Sequence, residues 1–341
     1  MSACPGPLRA IKPEIIAPAK PKFMISGKAG VGKTWFALDF EKVYYIDTEG
    51  GAVRARYREK LQASDGVYMG KEQGSQDFQV VIEEIKALAT TTHHYKTLVI
   101  DSFSQLYNTA AAIAEEKFGN SFGRDKKEAN RPTRQLLRWL EALDMTVIFI
   151  CHQKDKWERR GGEVVQSGST FDGFDKMEYM LDLWIEADKK GKDNRFFIVK
   201  KSRIYSFPEG DQFPLEYVTF SELYGKEVIE KEPVPVKMAT PAQVGELVGL
   251  LDIVKIEPEQ TEKWKRKANV DSWEEMTESQ VLACLSFLKK KIAGTGDPKL
   301  EGASPAPEGT LPSSRPVFVP VPEKTAGRFT HDPDHLPAPL R

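Results

Sequence analysis

Residues Gly27-Lys28-Ala29-Gly30-Val31-Gly32-Lys33-Thr34 read G-x-x-x-x-G-K-T, a spacing whose chemistry is the cradling of phosphates. Glycines let backbone N–H groups turn inward, Lys33 neutralises β and γ oxygens, and Thr34 offers its hydroxyl to Mg²⁺. A metal so placed needs a carboxylate from a neighbouring strand, and Asp101 ends the apolar run Lys96-Thr-Leu-Val-Ile-Asp101. Another acid, Glu49, follows the run Val43–Ile46 in Asp47-Thr-Glu-Gly-Gly51. Just past a strand end, it suits a base that orients the attacking water. ATP and Mg²⁺ are therefore the expected cofactors.

These residues need a scaffold, and the hydropathy pattern supplies one. Short β-rich apolar runs at Phe23–Ser26, Val43–Ile46, Thr97–Ile100 and Thr146–Cys151 alternate with amphipathic stretches at Lys33–Phe40, Asp77–Ala89, Ser102–Phe118 and Thr133–Leu143. Such alternation predicts an α/β fold with a mostly parallel sheet covered on both faces. Leu181–Ala187 and Arg195–Lys201, flanking a basic turn, read as an antiparallel hairpin extending that sheet. Further on, the prolines of Glu230–Lys237 mark an extended linker. Thr240 and Thr277 stand as N-caps in a set of three short helices, Pro241–Leu251, Pro258–Ala268 and Glu278–Ile292. The expected organisation is an N-terminal segment (1–20), an ATPase domain (21–229), a linker (230–240), a small helical domain (241–294) and a disordered Pro/Gly/Ser-rich tail (295–341).

Composition narrows the function classes. The 341 residues carry 49 Lys+Arg against 50 Asp+Glu, a net charge of -1, so nucleic-acid binding would have to come from local patches. Three dispersed cysteines, Cys4, Cys151 and Cys284, make neither a disulfide framework nor a zinc site and fit a reducing cytoplasm. The apolar runs fall far below the ~20 residues that span a bilayer. No membrane role is expected.

The phosphate loop, the strand ending Asp47-Thr-Glu49, the strand ending Val-Ile-Asp101-Ser and the run Thr146-Val-Ile-Phe-Ile-Cys-His152-Gln resemble a RecA-like ATPase core over about residues 20–215. Gly27–Thr34, Asp47–Gly51, Cys151-His-Gln-Lys154 and Val199-Lys-Lys-Ser-Arg203 are similar, more closely, to phage RecA-like single-strand annealing and recombination proteins of the Sak type. The resemblance assigns the catalytic glutamate to Glu49 and the γ-phosphate sensor to His152, with Gln153 competing for that role. It makes Lys201 and Arg203 fingers that reach a neighbouring subunit's γ-phosphate, and so implies a ring or filament of this chain. It also implies single-stranded DNA and a single-strand binding protein as partners, in the cytoplasm of a bacterial host if the chain is phage-encoded.

Two polar segments between predicted core elements are long and locally basic. One spans Gly119–Arg134 with Arg124, Lys126 and Lys127; the other runs from Gln153 to Gly173 with Lys154, Lys156, Trp157, Arg159 and Arg160. Positive charge tracks phosphates and Trp157 offers a stacking face. Read from charge alone, mobile surface loops serve equally; the resemblance makes them the two DNA-binding loops. Trp264, in the basic run Glu262–Lys267, fits either a second nucleic-acid surface or a core position. A hexameric helicase or helicase loader shares every core motif, and a small-molecule kinase is the rival of another class.

Overall fold

The computed structural model describes residues 18–118, 124–268 and 270–294. The first 17 residues of the expected N-terminal segment and the expected disordered tail lie outside the described residues.

The chain opens with β1 (Lys22–Gly27), α1 (Lys33–Ala37), β2 (Val43–Asp47), α2 (Ala55–Ala63), β3 (Val67–Met69) and α3 (Phe78–Thr90). It continues through β4 (Thr97–Asp101), α4 (Phe103–Phe118), α5 (Arg124–Ala142), β5 (Thr146–Ile150), β6 (Gln153–Arg160), β7 (Glu163–Phe171) and α6 (Met177–Met180). Then come β8 (Leu183–Lys190), β9 (Asn194–Ser202), β10 (Gln212–Pro214), α7 (Tyr217–Tyr224) and α8 (Lys226–Ile229). Last are α9 (Pro241–Val254), α10 (Pro258–Ala268) and α11 (Glu278–Ile292).

Among the described residues one sheet holds eight strands in the order β10-β9-β8-β1-β5-β4-β2-β3. The six strands from β8 to β3 run parallel, and β9 turns back antiparallel on β8. Both faces are covered, which is why the inner strands read as nearly unbroken apolar runs. Successive side chains alternate between two cores: Met24, Ile100, Val147 and Phe149 pack under α3, α4 and α5, while Phe23, Ile25, Val99 and Ile148 pack with Phe36, Phe40 and Phe220. Helix α3 fits its face by spacing, with Phe78, Val81, Ile82, Ile85 and Leu88 buried, and Asp77 caps its amides at Gln79 and Val80.

The strand order decides the geometry of the site. Strand β5 lies between β1, which carries the phosphate loop, and β4, which ends in Asp101. Strand β2 flanks β4 on the far side with Asp47 in register with Asp101. The C-terminal ends of all four strands therefore open on one edge, the usual place for a ligand in such sheets.

Two expectations are corrected. The segment Gly119–Arg134 is not a long loop, because α5 begins at Arg124 and runs through Pro132. Its Lys-Lys-Glu-Ala stretch is made of good helix formers, and Tyr107 of α4 donates to Asn130 at 3.0 Å. Gln153–Gly173 is not a mobile loop either. It forms β6 and β7, a separate two-stranded antiparallel sheet with an irregular register at Lys156/Trp157.

Helices α9, α10 and α11 enclose their own core around Leu247, Trp264, Val281 and Leu285. Trp264 is a core residue, and the lysines beside it form a solvated face on which Lys263 pairs with Glu259. Thr240 and Thr277 each cap a helix through a reciprocal box with Gln243 and Gln280. The Pro-rich connection is extended and held to the main domain, Val236 N–H donating to the Ala89 carbonyl at 2.8 Å and Val234 N–H to Asp144 at 2.9 Å.

Candidate nucleotide-binding site

The phosphate loop leaves β1 at Gly27, where only glycine fits. Its φ is +146°, and a Cβ there would lie 2.4 Å from the Ala187 carbonyl oxygen of β8. Lys33 curls back, its ammonium donating to the carbonyls of Gly27 at 2.7 Å and Lys28 at 3.0 Å. Burial lowers its pKa, an effect opposed by the charges of Asp101 and Glu49. The loop residues Gly27–Gly30 and Gly32–Thr34, together with Glu49, Tyr57, Asp101, His152 and Gln153, line a cleft of about 880 Å³.

Asp101 and Thr34 meet across this cleft, the Thr34 hydroxyl donating to Oδ2 at 2.6 Å, and the Tyr45 hydroxyl donates to the same oxygen at 3.0 Å. Burial, with Glu49 nearby, pushes the Asp101 carboxyl up to about 6, although both hydroxyl donors favour its charged form. A threonine hydroxyl beside one carboxylate is a hard-oxygen donor pair. It suits Mg²⁺, which takes few protein ligands and leaves the rest to water and phosphate. Among the described residues no cluster of three or more His, Cys, Asp or Glu forms a metal cage.

Glu49 stands on a loop fixed by Asp47. The two Asp47 carboxylate oxygens accept from the amides of Glu49, Gly50, Gly51 and Ala52 at 2.7–3.2 Å. Buried and saturated in this way, Asp47 positions the loop and is not free to act as a base, a role its own strand-end position did not reveal. Thr48 staples the same loop to β4, donating to the Ser102 carbonyl and accepting from its amide.

His152 lies two residues past the end of β5, just before β6, and its Nε2 is 2.6 Å from Glu49 Oε1. Its amide donates to the Ser104 hydroxyl, and its carbonyl accepts from Asp172 N–H, each at 2.8 Å. Gln153 lines the cleft one residue later but pairs with Phe171 at the base of the hairpin. Neighbouring Cys151 is buried and its thiol is driven well above its usual range, so it packs and does not react.

Lys201 and Arg203 stand elsewhere. They end β9 beside the start of β8, at the edge opposite the phosphate loop. Lys201 donates to the Leu181 carbonyl and Arg203 to that of Tyr179 at 2.7 Å. Of the residues expected on DNA, Lys154, Lys156, Trp157 and Arg159 lie exposed on β6, with Lys154 paired to Asp172 and Lys156 to Glu158. The side chains of Arg124, Lys126, Lys127 and Arg160 lie outside the described residues. A residue that sequence reasoning missed is Arg195, which also lines the cleft; the lysine-rich turn before it had marked only a hairpin.

The arrangement can hold a triphosphate and a divalent cation and bring an acid to bear on water beside the terminal phosphate. Comparison with known proteins agrees. No curated protein matches the sequence. A family model described as an AAA domain matches residues 19–214, from the residues before β1 to the last strand of the sheet, and the chain belongs to that AAA-domain family of P-loop ATPases.

Proposed function

We propose that this ATPase binds single-stranded DNA and promotes annealing or strand exchange, hydrolysing ATP at interfaces between copies of the chain. The observation that carries this reading is the link from the nucleotide cleft to the β6–β7 hairpin. His152 meets Glu49 through its ring, while its carbonyl accepts from Asp172 just past the end of β7. One residue thus joins the acid that orients water to the root of a hairpin bearing Lys154, Lys156, Trp157 and Arg159. DNA seated on the hairpin would alter the hold on Glu49, which is the coupling a DNA-stimulated ATPase needs.

Within the cleft, Lys33 and the loop amides hold the β- and γ-phosphates, and Thr34 and Asp101 hold Mg²⁺, which supplies charge neutralisation when bound. Glu49 accepts a proton from the attacking water, and His152 senses the γ-phosphate. Lys201 and Arg203, at the edge of the sheet away from their own phosphate loop, would complete the site of a neighbouring subunit.

Hydrolysis measured with and without single-stranded DNA, combined with sizing of the assembly, tests this reading. Stimulation by DNA together with assembly on it supports the proposal. Unchanged hydrolysis by a monomer that retains no DNA overturns it in favour of a small-molecule kinase, and directional unwinding of a forked duplex would replace recombination with a helicase role.

A further inference from the structure

The β8–β9 hairpin brings two cations to the flank of the phosphate loop. Strand β8 pairs with β1 so that Ala187 lies beside Gly27, and across the hairpin Lys189 stands directly opposite Arg195. Side chains two apart share a face of a strand. Phe197 packs edge-on against Phe36 of α1, ring centres 4.7 Å apart, so Arg195 lies one step further toward the loop on that same face. Its guanidinium hangs over Gly32, where an added Cβ would sit 3.1 Å from Nη1. Arg195 lines the cleft with the loop residues and is exposed.

No described residue answers this charge. Among the described residues the Arg195 guanidinium has neither an ion pair nor a hydrogen-bond acceptor, and its directly opposed neighbour is another cation. Like charges facing each other across an antiparallel pair are destabilising, and a guanidinium fork of five donors matches phosphate oxygens in geometry. The arrangement is the one expected where an anion completes the site.

We propose that Arg195 is a nucleotide-binding residue acting within its own subunit, assisted by Lys189, and that it engages the α- and β-phosphates of the bound nucleoside triphosphate. The choice of phosphates follows from the sheet order. Glu49, on β2's side of β1, attends the γ-phosphate, whereas Arg195 approaches from β9 on the opposite flank. The inference rests on the ATPase reading of the phosphate loop and is independent of the DNA reading.

The test uses the full-length chain without DNA, titrated with fluorescent analogues of ADP and of non-hydrolysable ATP. Arg195→Ala should weaken both about 10- to 100-fold, the range of one charge-assisted hydrogen-bonding group. Arg195→Lys should recover part of the loss, and Lys189→Ala should show a smaller one. In steady-state hydrolysis the defect should fall on KM more than on kcat. Thermal unfolding without nucleotide should match wild type or rise slightly, since the repulsion with Lys189 is relieved, while the rise in Tm on adding ADP should shrink. Unchanged affinity for both analogues in Arg195→Ala and in Arg195→Glu overturns the proposal. So does a fall in kcat with unchanged ADP affinity, which would move Arg195 to the γ-phosphate. Lys33→Ala is the control; if it too binds both analogues as wild type does, the phosphate-loop reading itself fails and this inference falls with it.

Discussion

The nucleotide cleft and the β6–β7 hairpin are joined at His152 yet are built on opposite principles. On the floor of the cleft three charged groups are buried and answered before any ligand arrives: Asp47 takes four amides, Asp101 takes two hydroxyls and Lys33 holds two carbonyls. On the hairpin only the root is fixed. Phe171 is 3% exposed and packs against Trp184, whereas Trp157 near the tip is 59% exposed. The hairpin lysines are paired with acids on the surface, and such pairs contribute only ~0–1 kcal/mol each, so the exchange for phosphates that the proposed function requires would cost little. The contrast teaches a division of labour. Chemistry that tolerates little displacement sits on strand ends anchored in two cores, and the surface proposed to receive single-stranded DNA sits on a ribbon anchored at one end.

The largest expected effect breaks the cleft alone. Lys33→Ala removes the loop-borne cation and should reduce ATP hydrolysis by at least ~10³-fold, by analogy with the electrostatic share of phosphoryl transfer, while nucleotide-free DNA binding by the hairpin persists. Near wild-type turnover in a steady-state assay would show that the cleft is not where ATP reacts.

Next in size, Glu49→Gln keeps the side chain's reach to His152 but removes the base, and should lower kcat ~10²- to 10⁴-fold with ATP still bound. Single-turnover kinetics separate the two effects. An unchanged chemical step would require an acid other than Glu49, and not Asp47, whose oxygens are already occupied.

Asp101 sharpens the comparison through pH. Its folded pKa of about 6 lies above the ordinary carboxylate value, so the fold prefers the protonated acid. The stability contributed by this group is fully present below about pH 4 and is lost as pH rises through about 6. Asp101→Asn should therefore melt higher than wild type above pH 6 in the absence of Mg²⁺ and nucleotide, by as much as ~3 kcal/mol, with the gap closing toward pH 4. Metal binding needs the ionised form, so Mg²⁺-dependent nucleotide affinity should fall as pH drops below about 6. Superimposable melting profiles for the two proteins would refute the assignment.

The smallest effect on stability belongs to the hairpin. Neutralising Lys154, Lys156, Arg159 and Arg160 together should leave the melting temperature nearly unchanged while weakening single-strand binding. The salt slope should flatten by up to ~0.7 for each phosphate no longer neutralised, as fluorescence anisotropy at several salt concentrations can measure. An unaltered slope would place DNA elsewhere and leave the hairpin as a structural ribbon.

Much of this was legible in the residues themselves. A phosphate loop is a local object, so eight consecutive residues specify it, and an acid ending an apolar run specifies Asp101 in the same way. Helices α10 and α11 match the expected ranges residue for residue because caps and apolar spacing are local too. The hairpin was not legible: β6 is a charged run with little β-propensity, and its strand character comes from pairing with β7. Helix α5 extends nine residues ahead of the expected start because packing against α4 overrides the stop signal of Pro132. Spacing singled out the groups expected on phosphate. Their mutual placement, with His152 against Glu49 across 103 residues and Arg195 above Gly32, depends on β5 lying between β1 and β4 and on β8 joining the sheet beside β1. Those are choices of strand order, made by which apolar faces bury best together, and no short stretch of sequence encodes them.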